Sequence, residues 1–146
     1  MLCDFLENKT SNFDGLTLHQ IWEMNDVQIE SRHTFIQWIF PTTEPSSAVP
    51  GSPYLNDEQV LKIRKSRLAK QNLSKSADWY FDFLERNSHW RKPYNHNHLR
   101  ITRTLKSLRV LNGDDEADVY KERLWQMLGA DIAVIPAKTV EFWETA

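Results

Sequence analysis

The sequence contains few of the residues that tight turns and covalent cross-links require. Its 146 residues include four glycines and a single cysteine, Cys3. Scarce glycine disfavours hairpins and barrels, whose tight turns need residues at positive φ. One thiol cannot form an internal disulfide, so nothing in the composition points to an oxidising compartment. Both shortages favour a helical protein from a reducing compartment.

Long apolar runs and catalytic signatures are also missing. No stretch approaches the roughly 18 apolar residues that suggest a membrane span, and residues 1–7 lack the basic start and apolar run of a signal peptide. There is no Gly-rich phosphate loop, no G-x-S-x-G elbow and no HExxH zinc pair. We therefore expect a cytoplasmic protein with no membrane span, no bound metal, no cofactor and no assigned catalytic residue.

Apolar periodicity predicts helices through most of the chain. Leu18, Ile21 and Trp22 follow the i, i+3, i+4 spacing of one helix face, and the same spacing recurs farther along the chain. The predicted helices cover residues 17–24, 30–40, 57–86 with a break near 72–74, 96–111 and 114–128. Four of the six prolines fall in residues 41–54, which predicts one long Pro/Ser-rich loop.

The two ends of the chain give weaker signals. Residues 1–14 look loosely structured, and residues 129–146 are expected to hold a short strand or extended segment at 132–135 and one helical turn at 140–144. The fold prediction is an all-α, single compact domain over residues 1–146. It has five or six helices and a core within about residues 13–128.

Charge is strongly segregated along the chain. Residues 59–77 and 88–113 each carry six basic side chains and no acid, although the net charge is -2. Two such segments can build a basic face that attracts phosphate groups or an acidic protein. They can equally be solvated helix faces that acidic neighbours neutralise in the fold. The sequence leaves both interpretations open.

Two long stretches resemble the conserved domain of the opioid growth factor receptor family. The first runs His33-Thr34-Phe35-Ile36-Gln37-Trp38-Ile39-Phe40-Pro41, and the second covers residues 96–109, starting His96-Asn97-His98. The segments 53–58 and 79–84 between them fit the same order, so the resemblance spans roughly residues 13–128. The resemblance implies an all-helical domain, and the family is named for binding an enkephalin-type peptide.

Seven residues are candidates for ligand binding. In a helix, His33 and Gln37 share a face beside Trp38, where they either line a pocket or bond neighbouring helices as buried polar groups. Farther along, a row of cations suits phosphate recognition or forms internal ion pairs. This row is Arg100, Arg103, Lys106 and Arg109.

The leading functional prediction is a non-catalytic module that binds a peptide or protein partner at these residues. The second interpretation is nucleic-acid or phosphate-ligand binding through the basic segments 59–77 and 88–113, with Trp90 and Tyr94 as interleaved rings. The third is an unrecognised enzyme centred on His33 and His96. His89, His96 and His98 show no ligand spacing typical of zinc.

Overall fold

The computed structural model describes all residues from 1 to 146 and confirms an all-α fold. Two compact units make up the chain, residues 1–76 and residues 77–146. The helices are more numerous than the predicted five or six, because chain breaks divide the long helical patterns. They are α1 Leu2–Leu6, α2 Leu18–Trp22, α3 Asp26–Ser31, α4 Ile36–Ile39, α5 Asp57–Lys65, α6 Arg67–Arg86, α7 Asn97–Leu111, α8 Asp114–Leu128, a 3-10 helix Gly129–Val134 and α9 Ala137–Thr145.

The first unit begins with a helix where the sequence predicts a loose segment. Three side chains of α1, Leu2, Phe5 and Leu6, are fully buried. α1 packs against α4 and α5, and the side-chain amide of Asn72 donates a hydrogen bond to the Leu6 carbonyl over 2.8 Å. The prediction of a loose segment was wrong for residues 2–6, because α1 gains its stability from packing, which a five-residue helix cannot supply alone. Residues 7–14 form no helix, in agreement with the prediction.

Two short helices in this unit start with reciprocal caps. Thr17 and Gln20 form a capping box at the start of α2, and Asn25 and Gln28 form another at the start of α3. Each box satisfies two backbone N–H groups that a helix start leaves without partners. The predicted helix over residues 17–24 is confirmed.

The predicted helix over residues 30–40 is wrong. α3 ends at Ser31, Arg32 is extended at φ -87 and ψ 137, and α4 begins only at Ile36. Every residue from 35 to 42 is buried. A helix that buries only one face would leave some of these consecutive residues exposed. Instead, α4 is a single turn in which all four residues are buried.

The break in the next helical pattern falls at Ser66 rather than near residues 72–74. Ser66 has φ -92 and ψ 105. Its hydroxyl accepts a hydrogen bond from the Ala69 N–H over 3.1 Å and donates one to the Glu7 carboxylate over 3.0 Å. Ser66 thereby caps α6. Leu61 and Leu68 are exposed, because the buried residues Val60, Ile63 and Ala69 define the inward sides of the two helices.

The long loop predicted over residues 41–54 is confirmed and is closed at its base. The Leu55 N–H donates to the Thr42 carbonyl over 2.7 Å, and Pro41 and Pro53 are buried. The loop leads into α5, whose N-cap Asn56 accepts a hydrogen bond from the Gln59 N–H over 2.8 Å. The loop ends are thus fixed by backbone pairing and burial.

The second unit is built on α7, which packs against α8 and α9. Both predicted helices of this region are confirmed. Gly113, at φ 108, separates them in a conformation that side chains disfavour. On α8, Leu124 and Leu128 are buried, whereas Val119 is exposed and Trp125 is half-buried.

The chain after α8 contains no strand. Residues 129–134 form the 3-10 helix, and α9 extends over nine residues where one turn was predicted. The Trp143 side chain is completely buried, and its indole N–H donates to the His98 carbonyl over 3.1 Å. Burial of this large ring, together with Ile135 and Ala146, stabilises the segment as a helix against the second unit's core.

Candidate functional site

The three predicted site residues of the first unit have different environments. His33 is exposed and lies outside any helix, whereas Gln37 and Trp38 lie in α4 and are buried. The Trp38 ring contacts Phe5 at 5.2 Å and Phe13 at 4.8 Å between ring centroids. The Gln37 side-chain oxygen is buried without a hydrogen-bond partner. Ligand binding by these three residues stays a prediction, and Trp38 has a clear packing role.

The contacts of Arg100 and Arg109, two of the predicted cations of α7, lie within the second unit. Arg100 is 5% exposed and donates to the Asn97 side-chain oxygen over 3.4 Å. Arg109 donates to the carboxylates of Asp114 and Asp118 over 2.9 and 2.7 Å. Its Nε also donates to the Ala146 carbonyl over 2.6 Å. Arg109 therefore follows the interpretation in which basic residues form internal ion pairs.

Charge pairing at Arg109 also affects the ionisation of its partners. The hydrogen bond from Arg109 holds the pKa of Asp118 below its usual value, and the two carboxylates raise the pKa of Arg109. Arg103 and Lys106 are half-buried on α7. Ligand binding by the four cations stays a prediction.

The aromatic residues of the basic segment 88–113 also divide between core and surface. Trp90 is fully buried, with its indole N–H shared between the carbonyls of Leu84 and Asn87. Arg91 pairs with Asp131 over 3.2 Å. Only Tyr94 is strongly exposed, so the ring available for stacking in this segment is Tyr94 and not Trp90.

Three histidines of this region are not brought together as ligands. His89 and His96 are exposed, and His98 is buried with its Nε2 at 2.7 Å from the Trp90 carbonyl oxygen. The structure contains no group of three or more His, Cys, Asp or Glu side chains that could hold a metal ion. The position of His98 is that of a structural histidine, whose ring N–H donates to a main-chain carbonyl.

We expect His98 to make the stability of the protein depend on pH. Burial lowers the pKa of His98 below its ordinary 6.5, so the folded state favours the neutral ring. This contribution is fully present above pH 6.5 and is lost as the pH falls from there through the lowered pKa. Thermal melts between pH 7.5 and 5.0 should show a falling midpoint that His98→Gln, which retains a donor for the Trp90 carbonyl, reduces. A His98→Gln slope equal to the parent's would contradict the assignment.

A groove of about 290 Å³ lies on the second unit between α8 and α9. The α8 residues in it follow an i, i+3, i+4, i+7 pattern and so project from one side of that helix. One α9 residue completes it. The lining residues are Asp118, Lys121, Glu122, Trp125 and Glu144.

The groove presents free negative charge beside an aromatic ring. Asp118 is held by Arg109, and the Lys121 ammonium donates to the Glu144 carbonyl oxygen over 3.3 Å. The carboxylates of Glu122 and Glu144 are exposed and form no ion pair. The half-buried Trp125 ring rests against Trp143 at 6.2 Å between centroids. This arrangement suits a cation that meets carboxylates and an indole face together.

The groove was not predicted from the sequence. Its α8 side was visible as acids and a tryptophan spaced four and three residues apart, at 118, 122 and 125. The place of Glu144 in the groove could not have been predicted, because its neighbours depend on how α9 packs through Trp143.

None of the helices combines the length and the apolar composition that crossing a bilayer requires.

The comparisons with known proteins agree with the resemblance seen in the sequence motifs. The family model described as the opioid growth factor receptor (OGFr) conserved region matches residues 3–86. The chain is 30% identical over 107 residues to the opioid growth factor receptor of Mus musculus, covering 61% of this chain and 17% of that protein. It is 30% identical over 126 residues to the receptor of Homo sapiens, covering 72% and 16%. The chain thus spans about a sixth of the length of these relatives, and no solved structure matches it.

Proposed function

The chain belongs to the opioid growth factor receptor conserved-region family, and from this premise we propose that it is a non-catalytic module that binds a peptide or protein partner. The observation that carries the proposal is the groove between α8 and α9, with two unpaired carboxylates beside Trp125. The names of the relatives describe receptors for opioid growth factor, and they support a peptide as the ligand class.

The chemistry of the groove selects a cationic group on the partner. Glu122 and Glu144 attract an ammonium or guanidinium group, and the Trp125 ring adds a cation–π contact of about 0.5–1 kcal/mol at an exposed site. A lysine or arginine side chain fits this description, as does the free amino group at the start of a peptide. The partner segment is therefore expected to present a positive charge next to an apolar surface that can lie on the indole.

Titration calorimetry tests the groove with two probes, hexalysine and an enkephalin-type peptide with a free amino group. The double variant Glu122→Gln/Glu144→Gln should weaken binding about tenfold, since each exposed charge pair contributes up to about 1 kcal/mol. Asp115→Asn/Glu141→Asn removes two exposed carboxylates that do not line the groove, and should change affinity less than twofold.

Acetylating the amino group of the enkephalin-type peptide should have the same effect as the groove variant. The proposal would be overturned if neither probe bound the protein at low salt. It would also be overturned if the groove variant and the control variant lost the same amount of affinity.

A cytoplasmic location is part of the proposal. It is supported by Cys3, whose thiol is free and buried.

A further inference from the structure

The corner where α5 meets α6 in the first unit carries cations and leucines on its exposed side. We call the set Leu61, Lys62, Lys65, Arg67 and Leu68 the basic corner. All five side chains are exposed, and the leucines are 55% and 45% exposed. None of the three cations forms an ion pair with an acidic side chain. The groove of the second unit shares no residue with this surface.

Local structure explains why these side chains point outward. On α5, Val60 and Ile63 are buried, so positions 61, 62 and 65 fall on the opposite side of the helix. On α6, Ala69, Asn72 and Leu73 are buried, which turns positions 67, 68 and 75 outward. The one-residue break at Ser66 keeps the two exposed sides adjacent along the chain.

The charge of the basic corner is not neutralised by neighbouring acids. There is no acidic residue between positions 59 and 77. Glu7, whose carboxylate accepts a hydrogen bond from the Ser66 hydroxyl, is also paired with Lys9 at 3.3 Å. Glu58 lies at the opposite end of α5, in its first turn. A positive field therefore remains on this side of the unit for an external anion.

We propose that the basic corner docks on the surface of an anionic phospholipid bilayer. Cations near such a surface each contribute about 1 kcal/mol of attraction, and exposed leucines between them can enter the boundary between headgroups and acyl chains. The leucines favour a lipid surface over nucleic acid, whose phosphates and sugars give an aliphatic side chain no apolar environment. No exposed aromatic ring suited to base stacking lies within α5 or the first ten residues of α6.

Vesicle sedimentation with the full chain tests the proposal at two salt concentrations. Vesicles of phosphatidylcholine with about 30% phosphatidylserine should bind the protein, because anionic lipids attract basic side chains near the surface, and phosphatidylcholine alone should not. Raising the salt should release it, because exposed charges are screened. Lys62→Gln/Lys65→Gln should lower the partition coefficient about thirtyfold, from two cations at about 1 kcal/mol each.

Two control variants separate the effect of the basic corner from the effects of net charge and of lost apolar surface. Lys92→Gln/Lys138→Gln removes two exposed cations from the second unit, and should change binding less than twofold. Leu61→Ser/Leu68→Ser should weaken vesicle binding several-fold, whereas Leu99→Ser, at an exposed position of α7, should not. Circular dichroism of each variant confirms that it is folded.

Three results would overturn the proposal. The first is no sedimentation with anionic vesicles at low salt. The second is equal weakening by the two lysine pairs, which would show attraction by net charge alone. The third is a protein that does not bind vesicles but binds single-stranded RNA with an affinity that Leu61→Ser/Leu68→Ser does not change. That result would assign the basic corner to nucleic acid.

Discussion

Replacing Trp143 with alanine should lower the free energy of unfolding by about 3–5 kcal/mol, the range for removing a large aromatic side chain from a core. The Trp143 side chain is completely buried, and it contacts His98 and Trp125 at 5.7 and 6.2 Å between ring centroids. Its indole N–H also donates to the His98 carbonyl over 3.1 Å. The loss combines a cavity, two ring contacts and a buried hydrogen bond.

Urea denaturation followed by circular dichroism measures this effect, and the neighbouring residue supplies the control. Phe142 is 50% exposed, so Phe142→Ala should cost less than about 1 kcal/mol. The variant Trp143→Ala should unfold at lower urea with an unchanged slope if only stability is affected. A loss below about 1 kcal/mol would show that α9 does not depend on this anchor.

Replacing Asn97 with alanine should cost about 3 kcal/mol, because it removes an acceptor from two buried donors. The Tyr80 hydroxyl donates to the Asn97 side-chain oxygen over 2.6 Å, and the Arg100 guanidinium donates to the same oxygen over 3.4 Å. The Asn97 amide in turn donates to Asn95 over 2.8 Å. Asn97 therefore links α6 and α7 through a buried polar network, and a guanidinium that loses a partner inside the protein is more costly than a neutral group.

Tyr80→Phe is the matched control for this network. It removes one donor and keeps the ring, so we expect a loss of about 1 kcal/mol, a single net hydrogen bond. The double variant should lose less than the sum of the two single variants, since both remove the same hydrogen bond. If Asn97→Ala is no more destabilising than Tyr80→Phe, the buried oxygen is not the centre of the network.

Interactions between near neighbours in the chain were predictable from the sequence. The helices Asn97–Leu111 and Asp114–Leu128 were predicted from the spacing of their residues. Each depends on side chains within about four residues, which is the range over which helix geometry acts. The family resemblance was predictable for the same reason, because the motifs are continuous in the sequence.

The break at Ser66 shows where local patterns stop being sufficient. Residues 57–86 read as one helical pattern, and a serine alone does not end a helix. It does so here because its hydroxyl also bonds the Glu7 carboxylate, 59 residues earlier in the chain. A similar limit applies to residues 30–40, whose periodic apolar positions belong to a continuously buried run.

The all-α fold, the long loop, the family and the segregated charge could be predicted, because they follow from composition and from spacing within a few residues. Which charges are available to a partner depends on how the helices pack. Packing paired Arg109 with Asp114 and Asp118, buried Arg100 beside Asn97, and left the basic corner exposed. The groove of α8 and α9 likewise exists because Trp143 docks in the core and carries Glu144 to its place. Solvation and pairing depend on residues that are distant in sequence, so no local pattern determines them.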